Sequence, residues 1–171
     1  MQLLITRPQA EAEALSQRLA EMGHKALIEP MLTIRTLPDA VLELDAAAAL
    51  LLTSANGVRA LAGRAVDRGM LVLAVGEATA AAARAAGFTN VAAAGGDVVA
   101  LAALVRKRLR PEDGVLVHVA GSAVAGDLAG DLGTAGYRVR RAVLYRAETS
   151  ERLSEACRTA LSSDEIDAVL F

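Results

Sequence analysis

The chain has 171 residues, 54% of them hydrophobic but only 2% aromatic, so any core is built from Ala, Leu and Val. Lys and Arg number 18 against 20 Asp and Glu, a formal net charge of -2, which excludes nucleic-acid binding driven by a basic surface. The single cysteine, Cys157, excludes an intrachain disulfide and a cysteine-based zinc site. The N-terminal residues lack a basic stretch followed by a long apolar one, and no apolar run approaches the roughly 18 residues of a membrane helix. The expectation is a cytoplasmic protein with no membrane or nucleic-acid partner.

Taken in order, Leu3 to Ile5 read as a short buried strand ended by Thr6, Arg7 and Pro8. Pro cannot donate to a ladder but suits a helix start. Ala12, Leu15, Leu19 and Met22 follow at helical spacing, and Gly23 stops the helix. Ala26 to Ile28 form a second strand, broken by Glu29 and Pro30. Leu32 to Leu37 alternate loosely and read as an extended connector. Val41 to Asp45 read as a short helix.

Leu50, Leu51 and Leu52 then form an apolar run that suits a strand buried on both faces. Thr53 and Ser54 switch the composition. Ser54 suits an N-cap, and Val58 and Leu61 continue at helical spacing to about Val66. Such a strand–turn–helix leaves backbone N–H groups at the carboxyl end of a parallel strand, where anions bind. The pattern recurs. Leu71 to Val75 is a strand, Gly76 to Thr79 the turn, and an alanine-rich helix stops at Gly87. Asn90 to Ala93 is a strand, Asp97 an N-cap, and Val98 to Leu109 a patterned helix. Val115 to Val119 is a strand, Leu128 and Leu132 mark a helix, and Tyr137 to Arg146 alternate like an exposed or edge strand. Glu151 to Leu161 read as helical, and Asp167 to Phe171 as a strand.

Alternating strands and helices define an α/β protein with parallel sheets. Asp167 to Phe171 begin as Asp45 to Leu52 do, and the pattern reads as a half-domain cut off after Phe171. Among reactive side chains, His118 has no Asp, Cys or second His nearby in sequence, which argues against a metal or triad role. Gly95-Gly96-Asp97 lacks a full dinucleotide or Walker pattern.

Thr6-Arg7-Pro8, Pro30, Thr53-Ser54-Ala55-Asn56-Gly57-Val58, Ala74 to Thr79, and Gly136 to Val139 leading to Leu144-Tyr145-Arg146 occur in an order that resembles the uroporphyrinogen-III synthase family. The resemblance implies two flavodoxin- or Rossmann-like domains joined by two extended linkers, with a substrate cleft between them. It places residues 1–35 and 147–171 in a discontinuous, incomplete first domain and 36–146 in an inserted second. It implies a lyase that cyclises the linear tetrapyrrole hydroxymethylbilane to uroporphyrinogen III, with loss of water, ring D inverted, and neither metal nor cofactor. The full-length family is expected to be monomeric; a fragment with an open sheet edge can oligomerise.

By the same resemblance Tyr145 is the candidate proton donor, since a phenol holds its proton at neutral pH. Arg7, Thr53, Ser54, Asn56, Gly76 and Thr79 are the candidate substrate-binding residues. The turn from Gly121 to Gly126 carries no basic residue, unlike many family members, so it is given no charge contact. The alternative is a truncated, non-catalytic α/β module that binds a tetrapyrrole or a small anion.

Overall fold

The computed structural model describes residues 1–123 and 126–171. The turn from Gly121 to Gly126 therefore lies partly outside the described residues. The chain forms two compact units, one of Met1–Arg35 with Ala147–Phe171 and one of Thr36–Arg146.

The first unit is a three-stranded parallel sheet. Strand β1 (Gln2–Ile5) lies between β2 (Lys25–Ile28) and β9 (Ala168–Leu170). Helix α1 (Gln9–Glu21) crosses from β1 to β2. It starts after Pro8 and ends before Gly23, whose φ of +79° closes the turn without a Cβ clash. Helix α6 (Glu155–Ser162) leads into β9 and is capped by Ser154, whose Oγ accepts from the Cys157 N–H at 3.1 Å. The buried carboxylate of Glu29 accepts from the Ser154 N–H at 2.7 Å and its hydroxyl at 2.6 Å. Burial, and secondarily the Glu29 charge, push the Cys157 thiol up, so it remains a thiol packed in the core.

The chain passes between the units on two extended segments, β3 (Leu32–Thr36) and β8 (Arg138–Thr149). The larger sheet has the order β3-β8-β7-β4-β5-β6. Its remaining strands are β4 (Ala47–Leu52), β5 (Leu71–Ala74), β6 (Asn90–Ala93) and β7 (Val115–Gly121). Strands β8, β7, β4, β5 and β6 run parallel to one another in that order. From β4 the chain winds outward to β5 and β6, then crosses back to β7 and β8. The gap between β4 and β7 is thus the point where the winding reverses, which is where open α/β sheets bind ligands.

Leu50, Leu51 and Leu52 are fully buried, as a strand covered on both faces requires. Ala49 and Leu51 pack with Leu101, Ala102 and Val105 of α4 (Val98–Arg108) and Leu128 and Leu132 of α5 (Leu128–Thr134). Leu52 meets α2 (Ala55–Ala60) on the opposite face, so close that a Cβ on Gly57 would stand 3.5 Å from its Cδ2. Helix α3 (Glu77–Ala85) packs beside α2. Each buried leucine contributes about 1.5–3 kcal/mol of transfer free energy, which compensates for the lack of aromatic side chains.

Three expectations from the periodicity are corrected. Residues 41–45 form no helix but an irregular segment that leads into a turn. Arg64 takes up the carbonyls beside them: its guanidinium donates to Leu37 O at 2.6 Å, Pro38 O at 3.1 Å and Ala40 O at 2.8 Å. With those acceptors satisfied, nothing offsets the cost of nucleating so short a helix. Helix α2 ends at Ala60 rather than near Val66, and Gly63 (φ +76°) turns the chain. Strand β8 is no edge but lies between β3 and β7. Its arginines look like a solvent face because Arg140 pairs with Glu43 at 3.3 Å and Arg141 reaches backbone carbonyls.

Candidate active site

A cavity of about 420 Å³ opens in the second unit, at the carboxyl ends of its strands. Thr53 and Ser54 after β4, Val75 after β5, and Tyr145 on β8 line it, with Gly96, Asp97, Val98 and Ala123. It sits at the reversal point of the winding, so the topology alone would place a ligand here.

Each wall has a local cause. Ser54 is extended (φ -159°) and its Oγ accepts from the Asn56 N–H at 3.1 Å, which caps α2. Asp97 caps α4 in the same way, its Oδ1 accepting from Ala100 N at 2.7 Å. Val75 is tied to β4 by a hydrogen bond from its N–H to Leu52 O at 2.8 Å.

Tyr145 is aimed by an irregularity. Strands β7 and β8 pair residue for residue as far as Ala120 with Val143, then slip so that Gly121 faces Tyr145. Leu144 is the extra residue. Leu144 is fully buried and Tyr145 only 9% exposed, and the slip sets the tyrosine opposite Gly121 and against the cavity. The Ser122 N–H donates to Tyr145 O at 2.9 Å and locks the slipped register. Arg141 holds the same turn from the other side, donating to Gly121 O at 2.6 Å and Ser122 O at 2.8 Å.

Behind Thr53 stands His118, on β7 and only 4% exposed. Its Nε2 lies 3.3 Å from Thr53 Oγ1. Burial, and secondarily the Arg141 guanidinium across the β7–β8 pair, lower its pKa from 6.5 to about 4. The ring is therefore neutral at physiological pH, and the sign of its effect on stability follows. Below pH 6.5 the unfolded chain takes up a proton that the folded chain refuses down to about pH 4. Its contribution to stability is complete above pH 6.5 and is lost as the pH falls towards 4, by about 3 kcal/mol. Denaturant titrations at a series of pH values should show this slope in the parent chain and its loss in His118→Leu; equal slopes would contradict the shift.

Of the residues singled out in the sequence, Thr53, Ser54 and Tyr145 line the cavity together. Gly76 caps α3 at its edge, and a Cβ there would stand 3.3 Å from Gly96 Cα. Asn56 is turned along its helix, its Oδ1 accepting from Arg59 at 2.5 Å. Thr79 is buried within the first turn of α3. Arg7 belongs to the first unit, where its Nε donates to Phe171 O at 2.5 Å and it borders a separate hollow with Thr6, Pro8, Met31 and Leu32. Asp97, Gly96 and His118 are the additions. In the sequence Asp97 reads only as a helix cap, and only strand neighbourhood brings His118 to Thr53 across 65 residues. Among the described residues no group of three or more His, Cys, Asp or Glu side chains is placed to hold a metal ion.

A doubly wound parallel domain with hydroxyl side chains and a tyrosine around a cavity at the carboxyl ends of its strands, inserted in sequence into a second parallel unit, defines a two-unit α/β protein with a candidate small-ligand site. The family model for uroporphyrinogen-III synthase HemD matches residues 13–171, and the chain belongs to that family. A mutant form of uroporphyrinogen III synthase from the extremely thermophilic bacterium Thermus thermophilus is similar at 25% identity and a TM-score of 0.66, over 99% of this chain and 71% of that one. A second structure of Thermus thermophilus uroporphyrinogen III synthase gives 26% identity and a TM-score of 0.51, over 100% and 72%. Uroporphyrinogen-III synthetase from Helicobacter pylori 26695 shares the fold, with a TM-score of 0.63 at 20% identity, over 94% and 67%. No sequence among curated proteins matches significantly.

Proposed function

We propose that the chain is a uroporphyrinogen-III synthase that closes hydroxymethylbilane to uroporphyrinogen III, inverting ring D and releasing water. The observation that carries the reading is the bulged Tyr145 in the cavity that Thr53 and Ser54 also line, in a chain of this family.

The chemistry needs an acid and a shape. Tyr145 donates its phenolic proton to the departing hydroxyl, the C–O bond breaks, and water leaves an azafulvene cation. Ring D then attacks that cation through its substituted carbon and forms a spiro intermediate. Fragmentation and reclosure of this intermediate reverse ring D. The final ring closure returns a proton, so the phenol is restored. Every step is an acid–base or carbon–carbon bond change without net oxidation. Thr53, Ser54 and the amide end of α3 after Gly76 offer donors to the substrate's carboxylates without requiring a basic surface. Arg7 lies in the first unit, where it borders its own hollow, and is given no contact in this cavity. Asn56 and Thr79 act indirectly, by fixing the first turns of α2 and α3. In this reading the enzyme is cytoplasmic; a full-length member is monomeric, and a fragment with an open sheet edge can oligomerise.

A coupled assay from porphobilinogen tests the reading. With this chain present, the type III isomer should replace the type I isomer that forms spontaneously. Type I alone in the presence of folded protein would reject it.

A further inference from the structure

We propose that His118 is a positioning residue for this reaction, its ring fixing the hydroxyl of Thr53 at the cavity wall. The proposal rests on the synthase reading and adds a residue to it. It begins from a conspicuous polar side chain. Strand β7 runs Val115-Leu116-Val117-His118-Val119-Ala120-Gly121, buried along its whole length, and His118 is the one polar side chain in it. A buried imidazole is costly unless a partner meets it. The partner is Thr53 Oγ1, 3.3 Å from Nε2.

That contact has two ends of unequal mobility. Thr53 follows the last residue of β4 and lines the cavity, where its hydroxyl rotor would otherwise turn freely. His118 sits mid-strand between β4 and β8, level with Leu51 on one side and Arg141 on the other, so its backbone is held from both sides. Arg141, the charged group facing it, is already engaged with the carbonyls of Gly121 and Ser122. The ring stays uncharged, and the hydrogen bond to Thr53 leaves the remaining donor or acceptor capacity of the hydroxyl directed to the cavity. A neutral imidazole here orients a substrate contact without bringing a second cation into the site.

The test is a cycle of His118→Leu and Thr53→Val, singly and together, with His118→Gln as the conservative variant. Leu fills the strand position without a polar atom, and Val is the isostere of Thr without its hydroxyl. Each single variant should lower kcat/KM for type III formation about tenfold, mainly through KM, as loss of one hydrogen bond implies. The double variant should be no worse than either single one, because both remove the same interaction. His118→Gln should recover to within about threefold of the parent, and His118→Leu should keep its denaturation midpoint at neutral pH or raise it. An active parent with unchanged kinetics in His118→Leu, or losses that multiply in the double variant, would overturn the positioning role alone. A folded parent that makes only type I would reject the synthase reading, and this inference with it.

Discussion

Replacing Tyr145 by Phe should lower kcat by about 10²- to 10⁴-fold, the range for loss of a positioned general acid. KM should change little, since the phenol acts on a leaving group whose charge develops only in the transition state. The fold should persist. The ring packs beside the β7 turn, and what holds that turn is backbone and Arg141: Ser122 N–H to Tyr145 O, and Arg141 to the two carbonyls. Steady-state kinetics with a thermal melt on the same sample separate the two effects. Unchanged turnover would remove Tyr145 from the mechanism. A collapsed melt would show that its hydroxyl serves the fold.

Gly121→Ala is expected to be nearly as damaging, for a steric reason. A Cβ on Gly121 would stand 2.7 Å from Tyr145 Cε2 and 3.1 Å from Cζ. The backbone at Gly121 is not left-handed, so alanine is tolerated there as backbone and the conflict falls on the ring. Such a ring must swing or slide, and a shift on the order of 1 Å at a reacting group costs about 10²-fold in rate. The overpacking itself should cost about 1–3 kcal/mol of stability. In the Tyr145→Phe background the added alanine should cost little further activity, because the group it displaces no longer carries the proton. Independent, multiplying losses would show that Gly121 matters for another reason.

The contrast between Gly121 and Gly23 shows what a sequence discloses. Gly23 stops a helix, and its positive φ follows from local rules. Gly121 is there for a ring 24 positions later, and only the slipped pairing of β7 with β8 reveals it. The same division runs through the molecule. Leu50 to Leu52 announce a strand covered on both faces, and Ser54 announces a cap; both depend on neighbours in sequence. The bulge at Leu144 cannot be read that way. An alternating pattern carries no mark of where one strand gains a residue on the next, so Tyr145 looks like part of an edge strand. Residues 41–45 mislead for a related reason: the guanidinium that satisfies the nearby carbonyls comes from Arg64, on the far side of α2. The site is half legible. Thr53, Ser54 and Tyr145 stand out through motif resemblance, whereas topology alone brings Asp97 to the cavity and sets His118 behind Thr53.

The scarcity of aromatic residues has a practical optical consequence. There is no tryptophan, and the two tyrosines are Tyr137 and Tyr145. Tyr137 donates its hydroxyl to Leu109 O at 2.7 Å and packs in the core with α4 and α5, away from the cavity lining. Near-ultraviolet emission from this chain is therefore tyrosine light from two emitters, one buried in a fixed setting and one at the candidate active site. Tyr137→Phe leaves a single tyrosine to emit, and it is the proposed acid itself. A ligand that takes a hydrogen bond from that phenol changes its emission, so the cavity carries its own reporter of occupancy without any label.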